Sequence, residues 1–157
     1  MSQAYVLGLI FDAARRNVLL IRKNRPAFQA GRLNGLGGKV ELGESPFQAI
    51  VREINEEANL VTTPEQWSFF GVMEGVGFAV HCFHAQVADL GLATAMTDES
   101  LVVLSVDDPR IHHEGLSNLT AVLSAALDQD NPFIRLRYRE LAAEDYAAYD
   151  PQQPCTT

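Results

Sequence analysis

Cysteine and basic side chains are scarce in this sequence of 157 residues. The two cysteines, Cys82 in an apolar run and Cys155 near the C-terminus, have neither the number nor the spacing of a disulfide framework, a zinc site or a redox motif. The longest apolar runs are too short to cross a membrane, and the N-terminus lacks the basic region of a signal peptide. We therefore expect a cytoplasmic protein with no membrane partner.

The acidic charge balance excludes several kinds of partner. Twelve Lys and Arg side chains stand against twenty Asp and Glu, a formal net charge of −8, which disfavours a surface for long nucleic acid or anionic lipid. A hydrophobic fraction of 47% is typical of a globular chain, and the length corresponds to one domain. We expect that domain at residues 1–146 and a flexible tail at residues 147–157.

The first part of the chain is rich in β-forming residues. Runs of β-branched and aromatic residues between Gly, Asp and Pro predict strands at residues 5–12, 17–22, 67–73, 78–87 and 101–106. The first two strands form a predicted hairpin, residues 23–32 a loop, and the segment from Asp130 a strand or short helix. Because apolar residues occur on both faces of these strands, we expect a sheet that is covered on both sides.

Two segments have helical periodicity. The first begins with Ser45 as cap, Pro46 at the first helical position and Gln48 three residues after the cap, and it ends at Asn59, which tolerates a left-handed conformation. The second, near residues 117–128, carries leucines at spacings of three and four.

The first helix presents an unusual acidic face. A rotation of about 100° per residue places Glu53, Glu56 and Glu57 together beside the apolar stripe. Like charges at these spacings repel, so the face requires either solvent or a cation. The glycines Gly37 and Gly38, just upstream, permit close approach of a ligand or metal, with an ordinary turn as the alternative.

The spacing of these residues resembles the signature of the Nudix hydrolase family. The pattern is Gly38, five residues, Glu44, seven residues, then Arg52-Glu53-Ile54-x-Glu56-Glu57-x-x-Leu60, with Asn59 where the family has Gly. The resemblance implies an α/β fold, an α/β/α sandwich with a mixed β-sheet between helices. Because Asn also supports a left-handed helix end, the departure at position 59 is expected to leave the metal site intact.

The resemblance also implies a role for each residue of the signature. Divalent Mg²⁺, or Mn²⁺, is expected as cofactor, because hard oxygen ligands suit both ions. Its ligands would be Glu53, Glu56, Glu57 and the carbonyl of Gly38. Arg52 would orient these carboxylates with Glu44 as its partner, and an ordinary helical pair between Arg52 and Glu56 is the alternative.

The catalytic base is expected at one of two positions. Members of the family differ in whether the signature helix or a later loop supplies it, so Glu53 and Glu99 are the candidates, and we favour Glu53. The alternative for Glu99 is an exposed acidic residue before a strand. Lys39 is a candidate phosphate contact, with a solvated lysine as the alternative.

Two asparagines resemble positions that read a purine in the MutT-like branch of the family. Asn34 precedes the glycines and Asn118 begins the second helix, and an amide offers both a donor and an acceptor. The alternatives are turn chemistry for Asn34 and a helix cap for Asn118. Leu33 occupies a position where that branch often has Trp.

The resemblance implies metal-dependent hydrolysis of the diphosphate linkage in a nucleoside diphosphate that is joined to another group. A nucleoside triphosphate, with a purine as the base, would give a nucleoside monophosphate and pyrophosphate. A non-catalytic nucleotide or ADP-ribose sensor on the same fold is the alternative, and an isopentenyl diphosphate isomerase that recruits Cys82 is a weaker one. The adjacent His112 and His113 are expected in an exposed loop. The oligomeric state stays open, a homodimer included.

Overall fold

The computed structural model describes residues 2–138. The predicted tail at residues 147–157, and the end of the predicted domain, lie outside the described residues. Within residues 2–138, no helix is both long enough and apolar enough to span a membrane.

The described residues form one mixed sheet of eight strands. The strands are β1 Gln3–Asp12, β2 Asn17–Arg22, β3 Leu33–Asn34, β4 Leu36–Lys39, β5 Ser68–Gly75, β6 Phe78–Val87, β7 Ser100–Ser105 and β8 Ile134–Arg137. The sheet runs β3-β2-β1-β6-β5-β8, with β4 paired to β1 and β7 paired to β2. Strand β1 is parallel to β6 but antiparallel to β2 and β4, which places the glycine-rich β4 beside the centre of the sheet.

Side chains of alternate residues enter two separate cores, one on each face of the sheet. In β1, Leu7 and Leu9 pack in one core, whereas Val6 and Ile10 pack in the other. This period of two is the geometry of a strand that is buried on both faces. The prediction of a sheet covered on both sides is confirmed.

Three α-helices of the described residues flank the sheet: α1 Pro46–Ala58, α2 Pro109–Glu114 and α3 Leu119–Leu127. The first core packs against α3 and the second against α1, so the predicted α/β/α sandwich is confirmed. Ile50 and Ile54 of α1 are fully buried, and each such side chain contributes about 1.5–3 kcal/mol.

The ends of α1 follow the predicted capping chemistry. Ser45 and Gln48 form a reciprocal capping box at the N-terminus, and Asn59 adopts a left-handed conformation with φ of 52° at the C-terminus. These local interactions fix the start of the helix and therefore the face on which its glutamates lie.

Two predictions of local structure are wrong in detail. His112 and His113 are exposed as predicted, but they lie in α2 rather than in a loop, because Asp108 caps a short helix that begins at Pro109. The second long helix begins at Leu119, later than predicted. For Gly37 and Gly38, the alternative of an ordinary turn is wrong, because both residues lie in β4, which pairs with β1.

Candidate active site

The glycine-rich strand β4 lies against the acidic face of α1. A side chain at position 38 would overlap the Glu53 carboxylate, and one at position 37 would overlap the Val6 carbonyl. Gly37 also has a φ of 152°, a conformation that favours glycine. Glycine is therefore required at both positions so that β4 can pack closely against its neighbours. At Gly38 the neighbour is Glu53, a candidate metal ligand.

Glu57 is the most buried carboxylate of α1, with 8% of its surface exposed. Its Oε2 atom accepts a hydrogen bond of 3.0 Å from the Gly37 amide. Burial raises the pKa of Glu57 to about 7, although the Gly37 hydrogen bond and the nearby charge of Lys23 act in the opposite direction. The protein thus holds this carboxylate where its charge is poorly solvated, so a nearby cation would be favourable.

The other two glutamates of the predicted metal set are less buried. Burial also raises the pKa of Glu53, against the opposing effect of a hydrogen bond from Arg52. Glu56 is exposed at the outer end of the same face. The exposure of the three glutamates therefore increases from the buried Glu57 through Glu53 to Glu56, so the acidic face is open to solvent at its Glu56 end.

Arg52 organises this face through five hydrogen bonds. Its Nε and Nη2 atoms each donate at 2.9 Å to the two oxygens of Glu44, a bidentate pair. Nη2 also donates to the Lys39 carbonyl, and Nη1 donates to Glu53 at 2.9 Å and to Glu56 at 3.1 Å. The Arg52 pairing holds the pKa of Glu44 below its usual range. The structure thus contains both the predicted partner Glu44 and the alternative helical pair with Glu56.

The second candidate base, Glu99, belongs to the same site. Glu99 is only 6% exposed, so the alternative interpretation, that it is an exposed acidic residue before a strand, is wrong. It accepts hydrogen bonds from Lys23 Nζ at 3.0 Å and from the Asn24 amide at 2.6 Å. Burial acts to raise the pKa of Glu99, but these two donors outweigh it and lower the pKa overall. Lys23 and Glu99 both lie near enough to shift the pKa of Glu57.

The carboxylates suit a divalent cation by their chemistry. Their oxygens are hard donors, and a poorly solvated carboxylate such as Glu57 gains from a neighbouring positive charge. Within residues 2–138, however, no three His, Cys, Asp or Glu side chains are already arranged around a common metal position. Instead, Arg52 pairs with Glu53 and Glu56, which places its guanidinium charge among the candidate ligands.

A cavity of about 1020 Å³ extends from the glycines to the far end of the sheet. Its lining includes the cationic side chains of Lys23, Arg25 and Arg32. Its remaining wall is largely apolar and aromatic, and includes Phe28 and Phe78. A largely apolar cavity whose wall also carries cationic side chains is suited to a ligand that joins a flat ring to phosphates.

Both predicted base-reading asparagines line this cavity. Asn34 lies on β3 and pairs with Ile21 of β2, so it is part of the sheet rather than a turn. Asn118 precedes α3, but its side chain makes no capping hydrogen bond. It contacts Tyr138 and Met73 instead, so the alternative that it caps the helix is wrong.

Other singled-out residues lie apart from the cavity. The Lys39 side chain is exposed and does not line it, although the Lys39 carbonyl contacts Arg52. Cys82 is fully buried in the sheet, and burial raises the pKa of its thiol to about 12. Cys82 is therefore unsuited to the chemistry of an isomerase.

Sequence reasoning missed several cavity residues, notably Lys23, Arg25, Met73 and Tyr138. The first two lie in a loop that is joined to the segment before β7 by the Arg25–Asp98 and Lys23–Glu99 ion pairs. The cluster of basic residues between β2 and β3 was a signal that could have been noticed. Met73 and Tyr138 carried no such signal, because only the pairing of β5 with β8 brings them together.

The fold and site together define a class: an α/β/α sandwich in which a glycine-rich strand lies against a carboxylate-bearing helix. A family model described as the NUDIX domain matches residues 1–115. The chain therefore belongs to the Nudix hydrolase family.

Two relatives share part of the sequence. An 8-oxo-dGTP diphosphatase from Escherichia coli (strain K12) is 40% identical over 74 residues, which cover 47% of this chain and 56% of that protein. An oxidized purine nucleoside triphosphate hydrolase from Danio rerio is 43% identical over 60 residues, 38% of each chain. The chain thus spans about half or less of the length of these relatives.

Solved structures share the fold at low sequence identity. A MutT NUDIX hydrolase from Burkholderia pseudomallei superposes with a TM-score of 0.66 at 20% identity, and covers 79% of this chain and 97% of that one. A bifunctional NMN adenylyltransferase/ADP ribose pyrophosphatase from Francisella tularensis, complexed with AMP and a Mn ion, gives 0.64 at 19% identity, over 81% and 41%.

Proposed function

We propose that the protein is a metal-dependent hydrolase of purine nucleoside triphosphates, and that it releases a nucleoside monophosphate and pyrophosphate. One observation carries the proposal: the carboxylates of α1 lie beside the glycine-rich strand that lines one end of the large cavity. The geometry fits a ligand with its base against the largely apolar wall of the cavity and its phosphates at the carboxylate end.

The distribution of charge supports this orientation of the substrate. Although the chain carries a net charge of −8, Lys23, Arg25 and Arg32 line the same cavity. Lys23 and Arg25 form ion pairs with Glu99 and Asp98, so the two carboxylates would partly cancel the positive potential that these cations produce in the cavity. A divalent cation on Glu53, Glu56 and Glu57 would supply the remaining positive charge.

When bound, Mg²⁺ or Mn²⁺ would neutralise charge on the diphosphate and lower the pKa of an attacking water. Glu57, with the Gly37 amide holding its Oε2 atom, would be the innermost ligand. Arg52 would orient Glu53 and Glu56, since it contacts both side chains and is itself held by Glu44. The Gly38 carbonyl would complete the set.

Glu53 is the base that we favour. The attacking water would lose its proton to the Glu53 carboxylate as its oxygen bonds to phosphorus. The bond from that phosphorus to the bridging oxygen would break, which gives the nucleoside monophosphate and pyrophosphate. Burial raises the pKa of Glu53, which strengthens it as a base. Glu99 is less suited, because both of its oxygens already accept hydrogen bonds and its pKa is lowered.

Asn34 and Asn118, which line the same cavity, would contact the base. The names of the two sequence relatives, which refer to oxidised purine nucleoside triphosphates, support a purine there. The Mn ion in the Francisella tularensis structure supports the choice of divalent metal. We also propose a reducing cytoplasm as the compartment, in keeping with the buried free thiol of Cys82. A homodimer stays a prediction.

A turnover screen tests the proposal. Wild-type protein is incubated with Mg²⁺ or Mn²⁺ and a panel of canonical and oxidised nucleoside triphosphates, ADP-ribose, dinucleoside polyphosphates and nucleotide sugars. We expect purine nucleoside triphosphates to be hydrolysed, with turnover lost in Glu57→Gln and retained in Glu65→Gln, a matched change at an exposed glutamate outside the cavity. Tight nucleotide binding without turnover at any metal would instead support a sensor.

A further inference from the structure

The Asn118 side chain is held in one orientation by two neighbours. Its Nδ2 atom donates to the Tyr138 hydroxyl at 2.6 Å and to the Met73 sulfur at 3.2 Å. A thioether sulfur only accepts hydrogen bonds, so the amide atom that faces Met73 must be the nitrogen and not the oxygen. Both hydrogens of the amide group are thereby used within the protein.

Tyr138 is itself fixed in place. Its backbone amide donates to the Glu74 carbonyl at 2.7 Å, and its ring lies 6.1 Å from that of Phe78 between centroids. Its hydroxyl lies 3.9 Å from the Met73 sulfur, to which it donates its own proton. Burial raises the pKa of Tyr138, so the phenol keeps this proton at neutral pH. The hydroxyl oxygen is therefore an acceptor for Asn118.

This arrangement leaves Asn118 with one unused polar atom. Within residues 2–138, its Oδ1 atom takes part in no hydrogen bond. Asn118 thus offers a ligand in the cavity an acceptor and no donor. The N7 and O6 atoms of guanine are both acceptors and would gain nothing from it, whereas oxidation at C8 turns N7 into an N–H donor.

We propose that Tyr138 is a positioning residue that sets base selectivity through Asn118: it keeps the amide nitrogen turned away, so that Oδ1 meets a donor on the purine edge. The proposal rests on the proposed function, since it takes the base to lie in this cavity. Tyr138 has no part in the diphosphate chemistry. Its loss should therefore change discrimination between bases and leave the chemical step intact.

Kinetics of Tyr138→Phe test the proposal. With Mg²⁺, we expect the ratio of kcat/KM for 8-oxo-dGTP over dGTP to fall about tenfold. Only the weak acceptor Met73 then holds the Asn118 amide, which can turn a donor toward guanine. The change should lie in KM, with kcat for 8-oxo-dGTP nearly constant. Tyr5→Phe removes another tyrosine hydroxyl from the wall of the cavity without touching Asn118, and it should leave the ratio unaltered.

A second background separates positioning from mere packing. In Asn118→Asp both terminal atoms of the side chain are acceptors, so rotation of the carboxylate changes little. Adding Tyr138→Phe to this variant should therefore not reduce the ratio of kcat/KM for 8-oxo-dGTP over dGTP any further. An unchanged ratio in Tyr138→Phe alone, or a loss confined to kcat, would overturn the proposal. So would an equal further loss in the Asn118→Asp background.

The hydrogen bond between Asn118 and Tyr138 can also be detected by a measurement that does not depend on turnover. In the nucleotide-free protein, the NMR signals of the Asn118 side-chain amide protons should shift upfield in Tyr138→Phe and stay in place in Tyr5→Phe. If wild-type protein hydrolyses no nucleotide, the proposed function fails, and the amide signals still decide whether Tyr138 holds Asn118. Unmoved signals would refute the positioning role in either case.

Discussion

Replacement of Glu57 by Gln should stabilise the metal-free protein while it removes activity. Burial places the pKa of Glu57 at about 7, compared with 4.5 for an ordinary glutamate. Because one pKa unit corresponds to about 1.4 kcal/mol, the buried charge destabilises the fold by about 3.5 kcal/mol above pH 7. A neutral glutamine avoids this cost, and its side-chain oxygen can still accept the hydrogen bond from Gly37.

The sign of the pH dependence follows from the raised pKa. Between about pH 7 and pH 4.5 the folded protein binds more protons at Glu57 than the unfolded chain does, so the destabilisation is complete above pH 7 and fades as the pH falls. The stability advantage of Glu57→Gln should therefore be largest near pH 8 and nearly absent near pH 4.5. Carboxylates that do not interact with Glu57 titrate alike in both proteins and cancel in the difference, whereas Glu53 and Glu99 are coupled to Glu57 and contribute to it.

Urea unfolding in EDTA at several pH values measures this difference, with Glu65→Gln as the matched surface control. Added Mg²⁺ should then raise the stability of the wild type and not that of Glu57→Gln, because a ligand that binds the folded state stabilises it. A variant that is less stable than the wild type at pH 8, or a difference that does not shrink on acidification, would refute the reasoning about Glu57.

Three further substitutions have expected outcomes. Gly38→Ala should lower kcat at least about tenfold, because the new methyl group displaces the Glu53 carboxylate, and calorimetric titration with Mn²⁺ should show weaker metal binding. Arg52→Lys should also lower kcat about tenfold with the circular dichroism spectrum unchanged, because lysine cannot make the bidentate pair with Glu44. Glu99→Gln should destabilise the protein by about 1–3 kcal/mol in urea unfolding, because it breaks the buried contact with Lys23. If Glu53 is the base, kcat of this variant should stay within a few-fold of the wild-type value. A thousandfold loss of kcat would point to Glu99 as the base.

Local sequence signals were sufficient for the elements around the site. Ser45, Gln48 and Asn59 fix both ends of α1 through contacts within a few residues, so the face that carries the glutamates was predictable. The apolar residues on both faces of β1 and β2 likewise predicted strands that are buried on both faces. Such patterns depend on neighbours in the sequence, which the sequence displays directly.

Contacts between distant segments were not predictable in the same way. The surroundings of Glu99 depend on residues 23–25, which follow the end of β2 where it pairs with the start of β7. They could not be inferred from Thr97 and Asp98 beside it. Because Asn118 precedes a helix, the sequence suggests that its side chain caps that helix. In the structure the side-chain amide donates to Tyr138 and Met73 instead. Tertiary hydrogen bonds displaced the local preference in this case.

Product analysis by ³¹P NMR tests the central claim most directly. Wild-type protein with Mg²⁺ and a purine nucleoside triphosphate should release one pyrophosphate for each nucleoside monophosphate, and Glu53→Gln should release neither at a comparable rate. Orthophosphate and a nucleoside diphosphate as the products, or equal turnover by Glu53→Gln, would contradict the assignment of the α1 carboxylates to hydrolysis of the diphosphate linkage.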